Sequence, residues 1–319
     1  MKKTRAFLKW AGGKYALVDS ITARLPQGRV LVEPFVGAGS VFLNTEYEAY
    51  LLADINPDLI DFYNLLKTEP DGVIQQARAL FCPANNQREA YFELRAAFNQ
   101  CHEARERAAL FLYLNRHGYN GLCRYNKKGG FNVPFGKYKA PYFPEDELWA
   151  FAEKAQRATF ICECYSKTFE RLEADHVVYC DPPYVPLSSS ANFTTYAAKG
   201  FSLDDQALLA RLARHTAQER QVPVLISNHA TALTYELYRG ASLDEIQVKR
   251  TISRSAGNRN KVGELLALYL PGRVFDGGES QSSPWGTICP FLLPTSDDCL
   301  NERVPDRPFH PLCRFCPFG

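Results

Sequence analysis

The sequence predicts an α/β fold, an open sheet with a mainly helical segment inserted into it. Three observations carry that expectation. Short apolar runs of strand length recur at 30–32, 50–53, 159–162, 177–180, 222–227, 246–248 and 265–269, with helical patterns between some of them, notably 204–219. From 56 to about 144 this alternation gives way to helical spacing, as in Tyr91, Leu94, Arg95 and Phe98 and again over 108–114. Beyond Pro271 both patterns stop, and residues 272–319 are rich in Pro, Ser and Gly. The sheet is therefore assigned to 1–55 and 145–271, the insertion to 56–144, and an irregular tail to 272–319.

Composition narrows the class. A chain of 319 residues can bury a large core, and its formal net charge of +2 points to no particular partner. No stretch approaches the apolar length of a membrane span. The opening Met1-Lys2-Lys3-Thr4-Arg5 leads into no apolar run of the secretory kind. A soluble, cytoplasmic protein is expected, most of whose ten cysteines are buried thiols. Cys313 and Cys316 near His310 offer half a zinc site, but a partnering Cys-x-x-Cys is missing, so no metal is expected.

The first polar motif is Gly12-Gly13-Lys14. It lacks the spacing of a phosphate loop, and Tyr15 follows the lysine. A glycine pair between Trp10 and Lys14 instead lets backbone approach a small ligand. The run 30–32 leads into Glu33-Pro34-Phe35-Val36-Gly37-Ala38-Gly39-Ser40 and then a helical pattern. Two glycines at a strand-to-helix turn let a ligand pack on backbone and helix N-terminus. Phe42 stands where a dinucleotide fingerprint needs its third glycine, which disfavours NAD. Asp54, at the tip of the next run, is placed to accept from two ribose hydroxyls. Together these pieces describe a nucleoside-type cofactor lying across the sheet edge.

Within the insertion, residues 107–144 contain no Asp or Glu yet carry seven basic residues, Arg107, Arg116, Arg124, Lys127, Lys128, Lys137 and Lys139. Aromatic side chains, among them Tyr119, Tyr125, Phe131 and Tyr138, are interleaved with them. Basic residues alternating with aromatics are the footprint of nucleic-acid binding. Gly129-Gly130 between short aromatic runs predicts a hairpin turn.

The run 177–180 ends at Asp181-Pro182-Pro183-Tyr184. Neither proline can donate to a sheet ladder, so Asp181 falls at the carboxyl end of a buried strand, where open α/β sheets bind ligands. The tetrapeptide offers a carboxylate, the Pro182 carbonyl, a rigid bend and the aromatic face of Tyr184. That set suits a planar ring bearing an amino group.

Four stretches in this order, Phe7-Leu8-Lys9-Trp10-Ala11-Gly12-Gly13-Lys14, residues 33–40, Asn120-Gly121-Leu122-Cys123-Arg124-Tyr125-Asn126 and Asp181-Pro182-Pro183-Tyr184, resemble those of the Dam-type DNA adenine methyltransferases. The likeness spans about residues 1–271, and the tail departs from it. The resemblance implies a Rossmann-like S-adenosylmethionine-dependent methyltransferase sheet with an inserted, mainly helical target recognition domain containing a β-hairpin. It implies S-adenosylmethionine as donor and adenine N6 in GATC of double-stranded DNA as acceptor; nothing in the sequence demands more than a monomer.

Carried over residue by residue, the resemblance places Trp10, Lys14, Phe35, Gly37, Gly39, Asp54 and Asp181 around the donor, with Asp181, Pro182 and Tyr184 catalytic. Lys9 would contact the outer guanine, and Arg124 guanine O6 and N7. Leu122 and Pro134 would face the thymine methyl. Tyr119 would wedge into the base stack, with Asn120 beside the gap. Arg95, Asn126, Lys137, Tyr138 and Lys139 would hold phosphates. Two other readings stay open: a catalytically silent DNA-binding module, and an enzyme acting on cytosine N4 or an RNA base.

Overall fold

The computed structural model describes residues 3–185, 201–248 and 262–272. Seven strands form one sheet: β1 (Val30–Glu33), β2 (Ala49–Asp54), β3 (Ala158–Cys162), β4 (His176–Cys180), β5 (Val224–His229), β6 (Ser242–Val248) and β7 (Val262–Tyr269). Their order is β3-β2-β1-β4-β5-β7-β6. The first five are parallel, and β7 runs antiparallel between β5 and β6. Every residue of β4 is buried, as expected of a central parallel strand covered on both faces, and that is why it reads as an unbroken apolar run.

Alternate residues serve the two faces. Leu31, Val177, Tyr179 and Leu225 join one core, Val32, Val178, Cys180 and Ile226 the other. The first core is completed by α2 (Pro57–Thr68), α3 (Pro70–Leu80), α4 (Arg88–Gln100), α5 (Ala104–His117) and α6 (Glu145–Ala155), all lying between β2 and β3 in sequence; the short α1 (Val18–Thr22) adds Ile21. The second is covered by α7 (Tyr165–Glu170), α8 (Leu203–Glu219) and Tyr238, which follows α9 (Ala232–Leu237). A capping box between Ser202 and Asp205 fixes the start of α8.

The structure departs from the sequence reading in four places. No α-helix follows Gly39-Ser40, only a 3-10 turn at Phe42–Asn44, because Thr45 is already extended and β2 starts at Ala49, too little chain for a helical nucleus. The turn at Gly129-Gly130 forms, with Asn126 N donating to Gly130 O at 2.8 Å, but only the isolated bridges Tyr125–Phe131 and Gly118–Phe135 continue it. Pro134 lacks a donor and the flanking glycines offer no side chain to pack, so no regular ladder grows. β5 begins at Val224 rather than 222, since Pro223 cannot donate. β6 is longer than the apolar run at 246–248, because its edge position tolerates polar residues. The tail from 273 onward, with Cys313, Cys316 and His310, lies outside the described residues. Among the described residues no helix is long and apolar enough to cross a membrane.

Candidate active site

The chain leaves β1 for β2 on one side and returns to its other side at β4. In open α/β sheets ligands bind at such a reversal, here at the carboxyl ends of β1 and β4. Residues 34–40 follow β1 and Asp181-Pro182-Pro183-Tyr184 follows β4, so two motifs far apart in sequence meet at one edge of the sheet.

The N-terminal segment is anchored to reach it. Phe7 is buried against Phe62, Tyr63 and Phe151, with ring centroids 5.6, 6.1 and 5.1 Å away. The Asn115 side chain holds the Lys9 backbone by paired bonds, Lys9 N to Oδ1 at 2.9 Å and Nδ2 to Lys9 O at 2.7 Å. Trp10 then lies on the glycine turn: a Cβ added at Gly37, whose φ is +47°, would stand 2.9 Å from the indole Nε1. Gly37 is needed both for that backbone conformation and for that approach.

Lys14 is buried, with Nζ 2.7 Å from Asp181 Oδ1 and 4.4 Å from the centroid of the Tyr184 ring. Ser227 Oγ donates to the same carboxylate oxygen at 3.2 Å and is itself 2.9 Å from the Tyr179 hydroxyl. Both donors fall on Oδ1, which leaves Oδ2 for another partner. Burial raises the Asp181 pKa above the usual carboxylate range, and Lys14 and Ser227 oppose the rise. Glu33, fully enclosed behind it, is pushed up to about 8 by burial and then by the Asp181 charge. Its Oε1 has no hydrogen-bond partner.

Asp54 closes the other end of the glycine turn. Gly37 N donates to Oδ2 and Asn56 N to Oδ1, each at 3.0 Å. Its pKa is raised by burial against these bonds, and each oxygen keeps lone-pair capacity. Phe35 stacks on Tyr165 at 5.4 Å and meets the edge of Phe201 at 5.7 Å, while Ile55, next to Asp54, is 63% exposed.

A second cluster joins the N-terminal segment to the insertion. The Lys9 ammonium lies 3.7 Å over the Tyr138 ring and donates to Arg116 O at 3.1 Å. Burial and then Arg116 lower its pKa to about 8. The Tyr138 hydroxyl accepts from Asn120 N at 3.0 Å, and Tyr119 N donates to Pro134 O at 2.8 Å, leaving the Tyr119 side chain exposed. Leu122 is half-buried against the core. Arg124 is oriented by Asn132, through Nε to Oδ1 at 2.8 Å and Nη2 to the backbone carbonyl at 3.1 Å.

Not every basic residue of the acid-free stretch faces outward. Arg107 pairs with the buried Asp58 at 2.7 Å. Arg95 gives a bond to Val133 O at 2.9 Å, and the Asn126 side-chain Oδ1 accepts from Lys128 N and Gly130 N at 2.9 and 3.0 Å. Both therefore also support the local loop. Among the described residues Arg124, Lys127, Lys128, Lys137 and Lys139 make no ion pair.

Residues 10–252 match the family of D12 class N6 adenine-specific DNA methyltransferases. The chain belongs to that family. A DNA adenine methylase of Vibrio cholerae is 66% identical over 271 residues, 85% of this chain and 98% of the relative. Those of Salmonella typhi and Escherichia coli K12 are 60% and 59% identical, covering 85% and 86% of this chain and 98% of each relative.

Three buried polar residues that shape the site of this D12 chain, Asn115, Ser227 and Asn228, belong to no sequence motif. A signal was present for each. Asn115 ends the apolar run 108–114, and Ser227-Asn228 follows Ile226 at the carboxyl end of a strand, on the edge where Asp181 ends its own. Polar residues in such places need partners, and those partners were the missing information. One further group, Glu173, Asp175 and His176, gathers possible metal ligands within 4.8 Å, but it lies at the start of β4, the end of the sheet away from Asp181.

Proposed function

We propose that this D12 methyltransferase transfers the methyl group of S-adenosylmethionine to adenine N6 within GATC in double-stranded DNA, after rotating the adenine out of the helix. The observation that carries the reading is the Asp181 carboxylate at this edge of the sheet, with Oδ1 occupied by Lys14 and Ser227 and Oδ2 left to accept from a substrate N–H. Family membership and the names of the relatives support DNA and adenine as the acceptor.

The residues present fit the donor. Asp54 is a half-buried carboxylate with acceptor capacity left for hydroxyls, Gly37 and Gly39 have positive φ and no side chain, and Trp10, Phe35 and Lys14 complete the surroundings. Bound there, S-adenosylmethionine supplies a methyl on a sulfonium, an electrophile that needs no further activation. The protein's task is the nucleophile. An aromatic amine delocalises its lone pair into the ring. Asp181 Oδ2 and the Pro182 carbonyl, accepting its two N–H bonds, favour a tetrahedral nitrogen with the lone pair directed outward. The N6–carbon bond would form as the carbon–sulfur bond breaks with its electron pair staying on sulfur, and the proton then shed by N6 would pass to Asp181 Oδ2, which accepts that N–H, or to water. Most of the acceleration comes from placement. N6 faces its partner base in a duplex, so the adenine must be extruded, and Tyr184 stacks on it.

Residues 56–144 act as the target recognition domain. Lys9, Leu122, Arg124 and Pro134 read bases, Tyr119 and Asn120 occupy the opened stack, and Lys137, Tyr138 and Lys139, with Arg95 and Asn126, position the backbone. The test is a duplex with one GATC site, a scrambled duplex and an Asp181→Ala protein, followed by nucleoside mass spectrometry. N6-methyladenine is expected only with the GATC duplex and the unaltered protein. Methylation of both duplexes would retain the chemistry and remove the base-reading assignments, and no methylation would remove the reaction.

A further inference from the structure

The catalytic tetrapeptide is held from beyond its far end by a set of fully buried polar side chains. Gln206, on α8, donates from Nε2 to Pro183 O at 2.6 Å. Its Oε1 accepts from Asn228 Nδ2 at 3.1 Å, and the same Nδ2 lies 2.9 Å from the Tyr238 hydroxyl. Asn228 Oδ1 accepts from Val185 N at 3.1 Å. His229 Nδ1 is 2.8 Å from Val185 O, and its ring meets the edge of Tyr184 at 4.8 Å. Gln206, Asn228 and Tyr238 all have no exposed surface.

Polar groups so enclosed cost stability unless each finds a partner, and hydrophobic residues of similar size would fill the same space without that risk. What the arrangement supplies is placement. Two prolines fix φ at 182 and 183, so the soft angles of the loop are the ψ values of Asp181, Pro182 and Pro183. Lys14 and Ser227 pin the loop at the Asp181 side chain, and Gln206 and Asn228 pin it at Pro183 O and Val185 N. The Pro182 carbonyl lies between the two pins with little freedom to turn.

We propose that Gln206, held by Asn228 and Tyr238, is a positioning residue that aims the Pro182 carbonyl and the Tyr184 ring at the extruded base. This deepens the methyl-transfer reading above and rests on it. The clamp touches neither donor nor DNA, so its loss acts on the transfer step and spares binding.

Gln206→Met keeps the volume and removes both polar ends. Tyr238→Phe removes one support of Asn228 and leaves Gln206 in place. Gln218→Met, on an exposed part of the same helix, is the control. For each full-length protein, single-turnover methyl transfer to a GATC duplex, calorimetric affinities for S-adenosylmethionine and for the duplex, and thermal unfolding are measured. In Gln206→Met the transfer rate falls about 10- to 100-fold, the penalty of a displacement of roughly 1 Å. Both affinities stay at the wild-type values, Tyr238→Phe shows a smaller loss, and the control none. Wild-type transfer by Gln206→Met, or a loss matched by lost affinity or lost folded protein, would overturn the clamp while the activity stands. Absence of adenine methylation by the unaltered protein would instead overturn the underlying reading and the clamp with it.

Discussion

Lys14 and Asp181 form an ion pair 2.7 Å long at the carboxyl edge of the sheet, with the Tyr184 ring 4.4 Å from the same ammonium. Residues far apart in the sequence thus meet at one carboxylate. The pair is enclosed, so the ammonium does more than decorate a surface: it offsets the burial that drives the Asp181 pKa upward.

Removing that ammonium raises the pKa further. In the proposed reaction Asp181 accepts the substrate N–H much more strongly as a carboxylate than as an acid, so transfer falls with pH through its pKa, and Lys14→Gln moves this acid limb to higher pH. A single-turnover rate profile from about pH 5 to 9 checks it, because the limb reports the ionisation of the essential group in the complex. A profile reduced in height but unmoved along the pH axis contradicts the coupling.

Among the base-reading candidates, Arg124 has its fork held by another residue, through the two bonds to Asn132. Arg124→Lys keeps the charge and loses the bidentate geometry. Discrimination between the GATC duplex and one altered at the guanine is expected to fall by about 1–3 kcal/mol, with scrambled DNA bound much as before. Equal weakening on every duplex, measured by fluorescence anisotropy, removes the base-reading role.

The central strands were legible because parallel strands buried on both faces leave unbroken apolar runs, and the prolines after Asp181 marked where β4 stops. The edge strand β6 was read short because only one end of it is apolar. At the site, the glycine turn and Asp181 were visible from residue type alone. The partners were not: that Lys14 reaches Asp181, or that Asn115 grips Lys9, depends on contacts between residues more than a hundred positions apart. Charge counting likewise could not tell Arg107, paired internally with Asp58, from Lys139, which makes no ion pair among the described residues.

Gly121 has φ +61°, and a Cβ there would fall 2.1 Å from Lys9 Cβ. Gly121→Ala therefore meets backbone strain of about 1–3 kcal/mol and must also push Lys9 aside. A lowered unfolding temperature with weakened binding to the GATC duplex is expected. Unchanged binding would show that Lys9 can move without consequence, and would take it off the list of DNA contacts.

The lowered Lys9 pKa gives that contact a pH signature. Between about 8 and 10.5 the free protein holds Lys9 increasingly neutral, whereas a guanine acceptor favours the ammonium. Binding then takes up a proton in this window, and affinity falls as pH rises through 8. Anisotropy titrations of the wild type should show this decline and those of Lys9→Ala should not. A parallel decline in both assigns it to another group.

Glu33 links protons to folding with the same sign. Its pKa rises from 4.5 to about 8 on burial, so between these values the folded chain keeps a proton that the unfolded chain has lost. Stability therefore falls with rising pH across that window, by up to about 1.4 kcal/mol per unit, and levels off above it. Glu33→Gln removes the ionisation while keeping shape and a donor, so its unfolding temperature should exceed that of the wild type at pH 8. The gap should close toward pH 4.5. A gap that stays constant with pH would mean that the substitution stabilises by packing alone, and that the enclosed carboxyl of Glu33 carries no excess proton.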